Sequence, residues 1–375
     1  MAGLYIHVPF CLRKCAYCDF YSIASRSKKE RFADRIVKEA ELRKDFLGGE
    51  PVETIYFGGG TPSQLPIEQI ELILNGVSKV FPISASPEIT LEANPDDLGK
   101  QILRTYNHVG INRLSIGVQS FNDNELQFLG RRHDAAKAQL AVRDGQDAGF
   151  SNISIDLIYG IPGSSRGSWE QSLAIAFNLG VQHLSCYHLT IEKDTQLYNK
   201  LNFKVFEPIN EDLSLAQFDS LCHFADQFQF IHYELSNLAR EGFFSQHNSS
   251  YWRGIPYLGL GPAAHSFNGL SRQWNPRSFD PWAKGIDSGL LPIEGELLDK
   301  STKYNELLIT HLRTIWGLNV AMVEQELGKN YTDHMLRSAK PHLAGNRLAI
   351  ENGVMRIPRS AFFISDSIIA DLLWV

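Results

Sequence analysis

The sequence predicts an α/β protein, an open (β/α)6 partial barrel followed by a small winged-helix-like α+β module. Three observations lead there. Through the first two thirds of the chain, short runs rich in β-branched residues alternate with amphipathic stretches of helical period, the pattern of a parallel sheet flanked by helices. Six such units can be counted, too few for the eight of a closed barrel. Near residue 290 the pattern breaks in a stretch holding Gly289, Pro292 and Gly295, which divides the chain into residues 1–290 and 291–375.

Strands are expected at residues 4–8, 54–57, 88–92, 113–117, 154–158 and 183–188, and they read as mostly apolar, as in a sheet covered by helices. Helices are expected at 28–47, 67–81, 99–108, 135–148, 168–178 and 213–228. In the first of these Phe32, Ile36, Ala40 and Leu47 recur at near-helical spacing with charges between them. In the second segment, apolar runs at 347–350 and 354–357 meet at Asn352-Gly353, a strong hairpin signal, and an amphipathic stretch follows at 366–373. Active sites of such folds gather at the carboxyl ends of the strands. The notable residues fall there: three cysteines after the first strand, Gly58, Gly59 and Gly60 after the second, Asn94 and Pro95 after the third, Gln119 after the fourth, and Gly160 and Pro162 after the fifth.

With 375 residues and 43% apolar composition, the chain can bury a large core. Its 36 basic residues stand against 42 acidic ones, a formal charge of −6, with no basic block. A basic stripe is the footprint of nucleic-acid binding, so no nucleic-acid partner is expected, for the winged-helix-like module included. The opening MAGLYIHVPF lacks the charged-then-apolar pattern of a signal peptide, and no uninterrupted apolar window of ~18 residues reads as a membrane span.

Five cysteines is an odd number, and three of them, Cys11, Cys15 and Cys18, stand within eight residues, which argues for metal binding rather than a disulfide framework. Cys186 and Cys222 sit in apolar surroundings and read as structural thiols. Three thiolates on one short loop can each hold one iron of a cubane, leaving the fourth iron open for chemistry. The competing reading is a zinc knuckle completed by His7 or a distant residue, but no second Cys/His pair follows at suitable spacing.

C-x3-C-x2-C after a first strand resembles the radical SAM (S-adenosylmethionine) superfamily. The surrounding YIHVPFCLRKCAYCDF is similar to the branch that holds the oxygen-independent coproporphyrinogen III dehydrogenases (HemN) and the haem chaperones (HemW). So are FGGGTPSQL, LEANPDDL, LSIGVQSF, LGRRH and SIDLIYGIPG, and the likeness reaches the C-terminal module. The resemblance implies a 4Fe–4S cluster on Cys11, Cys15 and Cys18, with SAM bound at the open iron and cleaved on reduction to methionine and a 5′-deoxyadenosyl radical. It implies that Gly59, Gly60 and Thr61 meet the SAM amino group and that Glu92, Gln119, Arg131 and Asp156 contact SAM. Tyr5 then corresponds to an aromatic residue beside the cluster and Tyr17 to a neighbour of the adenine. An electron donor such as flavodoxin or ferredoxin is implied as well.

Two departures separate this chain from the dehydrogenases: Phe20 stands where they continue to a fourth cysteine, and only four residues precede Tyr5. Both features resemble the chaperones, as does Gln246-His247-Asn248-Ser249-Ser250-Tyr251-Trp252, similar to their haem-associated HNxxYW motif. That motif implies His247, Tyr251 and Trp252 as haem-binding residues, with His247 or else His265 as iron ligand. Imidazole suits haem iron, and aromatic rings can cover the macrocycle. The expected function is a haem carrier that passes haem to acceptor proteins. The alternative is radical decarboxylation of coproporphyrinogen III to protoporphyrinogen IX. The expected location is the cytoplasm, with membrane contact through acceptors and a homodimer both left open.

Overall fold

The computed structural model describes residues 1–25 and 27–374. Its centre is six parallel strands in sequence order: β1 (Ala2–Val8), β2 (Val52–Gly59), β3 (Ile83–Ala93), β4 (Arg113–Gln119), β5 (Ile153–Tyr159) and β6 (His183–His188). Helices α1 (Phe32–Leu42), α2 (Ile67–Val80), α3 (Lys100–His108), α4 (Asp123–Leu129), α5 (Ala135–Asp147) and α6 (Arg166–Asn178) occupy the crossovers, and α7 (Gln196–Asn202) and α8 (Glu211–Gln227) follow β6. The expected six-unit partial barrel is present.

The strands are not uniformly apolar. Leu4, Ile6, Ile55, Phe57, Leu114, Ile116, Ile155 and Leu157 are buried against the helices. The alternate positions carry Tyr5 and His7, Thr54 and Tyr56, Glu88 and Glu92, Arg113 and Ser115, Ser154 and Asp156, and His183 and Ser185. Side chains alternate between the faces of a strand, so these form one polar concave face. That face is where ligand chemistry becomes available.

Both edges of the six are extended rather than joined. β7 (Ile231–Glu234) and β8 (Asn237–Ala239) add antiparallel strands beside β6. Helix α9 (Gln246–Trp252) comes next, and β9 (Tyr257–Leu260) then pairs parallel to β1. Strands β10 (His265–Phe267), β11 (Ser271–Trp274) and β12 (Glu294–Leu297) continue antiparallel from it, with α10 (Phe279–Asp287) interposed. Among the described residues the sheet has twelve strands, and β12 belongs to it although its residues lie beyond 290.

The remainder runs α11 (Lys300–His311), β13 (Leu318–Asn319), α12 (Val320–Leu327), α13 (Lys329–Ala344), β14 (Ala349–Glu351), β15 (Val354–Arg356) and α14 (Ser365–Ala370). The order helix, short strand, two helices and hairpin matches the winged-helix-like expectation. Asn352 and Gly353 at the hairpin tip both have positive φ, 52° and 78°, which explains that dipeptide there.

The first helix is shorter than its periodicity suggests. Residues 27–29 form a 3-10 turn and α1 ends at Leu42. Just past that end the buried Arg43 guanidinium is drawn to the sheet extension, donating to the Gly259 carbonyl at 3.3 Å, Ser266 Oγ at 3.1 Å and Gln273 Oε1 at 2.7 Å. Among the described residues no helix is long and apolar enough to cross a membrane.

Candidate cluster and ligand site

The cysteine loop leaves the carboxyl end of β1 and is closed by its own backbone. Ile23 N donates to the Pro9 carbonyl at 2.7 Å, and Cys11 N donates to the Ile23 carbonyl at 3.1 Å. Ala16 N donates to Leu129 O at 3.0 Å and Leu197 N to Ala16 O at 2.9 Å, so the loop is held against the end of α4 and the start of α7. Cys11 Sγ lies 3.2 Å from Thr61 Oγ1, and Arg131 Nη1 donates to Cys15 Sγ at 3.3 Å. Burial pushes the Cys18 thiol up to about 11, and the neighbouring Cys15 and Cys11 add to it; burial raises Cys11 too.

Thiols that burial holds protonated, as it does Cys11 and Cys18, need positive charge to become thiolates, and iron would supply it. Among the described residues no group of three His, Cys, Asp or Glu is arranged to hold a single metal ion. His7 is also occupied: its ring meets Tyr5 Oη at 3.2 Å and the Tyr21 carbonyl at 3.0 Å. His7 is thus not free to complete a zinc knuckle, whereas a polynuclear cluster asks for one thiolate per iron and no histidine.

Arg131 joins the loop to the strand ends. Its Nη2 donates to Asn94 Oδ1 at 2.7 Å and to the Gly117 carbonyl at 2.6 Å, and Asn94 Nδ2 lies 3.5 Å from Thr61 Oγ1. Its buried Nε has no partner among the described residues, a donor left for a ligand. Asn94 was legible at a strand end, but its part in this network was not. Gln119 ends β4 with φ 71°, and a side chain at Gly117 would meet its Nε2 at 2.9 Å. Tyr17 lies within electrostatic reach of Arg131, Cys15, Cys18 and Asp156.

Glu92 and Asp156 stand half-buried on the concave face. Glu92 accepts from Tyr56 Oη at 2.8 Å and from Gly59 N at 3.2 Å, and Ser115 Oγ donates to Asp156 at 3.3 Å. Desolvation raises Glu92 to about 7, with Asp156 adding repulsion, and desolvation raises Asp156 to about 6. Gly59 itself has φ 106°, and a β-carbon there would lie 2.6 Å from the His7 ring, so the turn toward Thr61 requires glycine. Cysteines, glycine turn, Arg131 and the two carboxylates thus share one end of the barrel.

His247 is elsewhere. It sits at the amino-terminal end of the strands, 1% exposed, beside Gly3 and Thr54. Its Nδ1 meets Thr54 Oγ1 at 2.7 Å, its Nε2 meets Tyr251 Oη at 2.8 Å, and its ring stacks on Tyr56 at 5.0 Å. Glu88 receives the backbone N–H groups of Gln246 and His247 at 3.2 and 3.1 Å, holding the start of α9. Burial pulls the His247 imidazole down to about 3, with Arg113 adding to the effect. Both ring nitrogens are engaged within the protein, so the expected direct ligation of iron by His247 has no support in this geometry.

Tyr251 and Trp252 instead border a cleft of about 1400 Å³ between the β9–β12 extension and α11. His265, Trp274, Arg272 and Lys303 also line it, and Asp19 and Phe20 bring it up to the cysteine loop. Phe20 is 65% exposed.

Fold and site together define a radical SAM protein, and residues 5–176 match the Radical SAM superfamily. Among its relatives, the heme chaperone HemW of Synechocystis sp. is 35% identical over 337 residues, covering 85% of this chain and 79% of that one. The heme chaperone HemW of Bacillus subtilis is 34% identical over 278 residues, 73% of each chain. In structure, coproporphyrinogen III oxidase (HemN) from Escherichia coli superposes with a TM-score of 0.85 at 21% identity, over 99% of this chain and 89% of that one, a likeness of fold. The chain belongs to the HemW family of radical SAM proteins. Membership of the superfamily implies a 4Fe–4S cluster and SAM.

Proposed function

We propose that this protein is a haem carrier: it holds a 4Fe–4S cluster on Cys11, Cys15 and Cys18, binds SAM beside it, takes haem into the neighbouring cleft and passes it to an acceptor protein. The observation that carries the reading is the cleft itself, about 1400 Å³ in volume, walled by Tyr251, Trp252 and Trp274 and reaching the cysteine loop at Phe20. A flat apolar macrocycle is well served by aromatic walls and cationic rims. HemW relatives are named as heme chaperones, and this supports the same reading here.

The residues divide the work. Gly59, Gly60 and Thr61 leave room for backbone contact with the SAM amino group, and Arg131 offers its free Nε to the SAM carboxylate. Glu92 and Asp156 can accept from ribose hydroxyls. Cys11, Cys15 and Cys18 would hold a cluster that, once reduced by a donor such as flavodoxin or ferredoxin, would supply the electron for SAM cleavage. Haem transfer needs an accessible cleft, and Phe20 at its mouth is positioned to cover or release a bound macrocycle.

The test is an anaerobic haem titration of reconstituted protein, run beside an assay on coproporphyrinogen III. Saturable binding near one haem per chain is expected, with no porphyrinogen product. Formation of protoporphyrinogen IX without stable haem binding would make the protein a dehydrogenase. Cys15→Ala is expected to lose iron and sulfide, while Cys186→Ala, altered at a buried structural thiol, keeps both. Full iron and sulfide in Cys15→Ala would remove the ligand assignment.

A further inference from the structure

An iron ligand for haem needs a free nitrogen lone pair and open space on that side of the ring for the macrocycle. His247 has neither, because Thr54 and Tyr251 take both nitrogens and the ring is buried. His265 has both. It lies on β10 in the wall of the cleft, is exposed, and stacks on Trp274 with ring centroids 6.1 Å apart. Among the described residues neither of its ring nitrogens has a hydrogen-bond partner. The other cleft imidazoles are less free: His7 is engaged at both nitrogens, and His311 Nδ1 meets the Leu307 carbonyl at 3.1 Å.

The surroundings of His265 also offer cationic groups for the propionates. Arg253, stacked over Trp316 at 4.2 Å, and Lys303 both line the cleft and carry no acidic partner among the described residues. Arg272 is committed to Glu296 and Glu306.

The motif histidine then has a different task. Its Nε2 holds the Tyr251 hydroxyl, and Tyr251 packs edge-on against Tyr257 at 4.5 Å in the cleft wall. The same short helix presents Trp252 beside Arg313, 5.1 Å from ring to guanidinium. His247 thus ties the Tyr251 hydroxyl to Thr54 and the barrel.

We propose that His265, and not His247, gives the axial nitrogen to haem iron in this cleft, while His247 is a positioning residue that sets Tyr251 and Trp252 in its wall. This rests on the haem-carrier reading. The bond is a dative one from the imidazole lone pair to iron and needs no redox step.

The experiment uses the full chain with its cluster, titrated with haemin and read by optical and electron paramagnetic resonance spectra. His265→Ala changes an exposed side chain and should fold as the parent does. It is expected to lose the nitrogen-ligated haem signature and to regain it when free imidazole is added. His247→Gln, whose amide can still bond Thr54 and Tyr251, is expected to keep the signature, with haem binding weakened rather than lost. An unaltered signature in His265→Ala overturns the assignment. So does its loss in His247→Gln or in His311→Ala at an unchanged thermal midpoint. If the parent chain binds no haem, the carrier reading fails and the assignment with it; saturable parent binding with His265→Ala unaffected overturns only the assignment.

Discussion

Glu92 and Asp156 illustrate how a single residue acquires its chemistry from where the fold sets it. Neither is unusual in sequence, yet desolvation on the concave face raises them to about 7 and about 6. The folded state therefore holds protons that the unfolded chain releases. Their stabilising contribution is full below the ordinary carboxyl range and declines as pH rises toward the folded values. We expect the thermal midpoint of the cluster-free protein to fall, relative to Glu92→Gln, between about pH 5 and about pH 7. Parallel midpoint curves for the two proteins would show that Glu92 does not titrate there. Cys11, Cys15 and Cys18 stood out by spacing because they lie on one short loop, and Phe20 by the resemblance to the dehydrogenases. The inactive ring nitrogens of His247 were not, since Thr54 lies far away in sequence and meets it only in the folded barrel.

At the level of elements, strands and helices were legible wherever period and turn chemistry agreed. The Asn352-Gly353 hairpin is an example, and β6 (His183–His188) coincides with its expected range. What period alone concealed was the alternation within the strands. Thr54 and Tyr56 on β2, and Glu88 and Glu92 on β3, sit at every second position and mark the concave face. The small strands β7 to β12 were not anticipated, because runs of three or four residues carry little periodic signal. The end of β2 shows the tightest local requirement. Gly59→Ala would force a left-handed backbone on a residue with a side chain and drive that side chain into the His7 ring. A loss of about 2 kcal/mol or more is expected from the urea midpoint at unchanged m, together with weaker SAM binding. An alanine variant as stable as the parent would mean that the β2 turn can relax.

In the whole molecule, the C-terminal helices and hairpin are part of one core with the barrel: a single apolar cluster includes Leu4 and Leu114 as well as Leu308, Met335 and Ile368. Across the junction Arg313 pairs with the buried Glu234 at 3.0 Å, and Phe362 and Phe363 pack on His232 and Phe218. Ending the chain after Leu298 would leave Glu234 without its cation and expose that apolar surface. Removing one partner of a buried pair typically costs about 3–5 kcal/mol. We expect the shortened protein to aggregate or to bind a hydrophobic dye, and a cooperative transition at the parent's midpoint would contradict a shared core. The same module provides α11 as one wall of the cleft, so the ligand space and the stability of the chain depend on one junction.

The sequence by itself determined the six-unit α/β pattern, the three-cysteine loop and the family, because local period and motif spacing are written in neighbouring residues. Tertiary structure alone decided that the alternate strand positions form a polar interior and that Arg131 joins Cys15 to Asn94. It also decided which histidine faces open space. His247 and His265 read alike as letters in aromatic surroundings, but one lies inside the barrel with both nitrogens bound, while the other lines the cleft with neither nitrogen bonded among the described residues. Burial and hydrogen-bond partners arise from chain segments brought together from afar, and no local pattern encodes them.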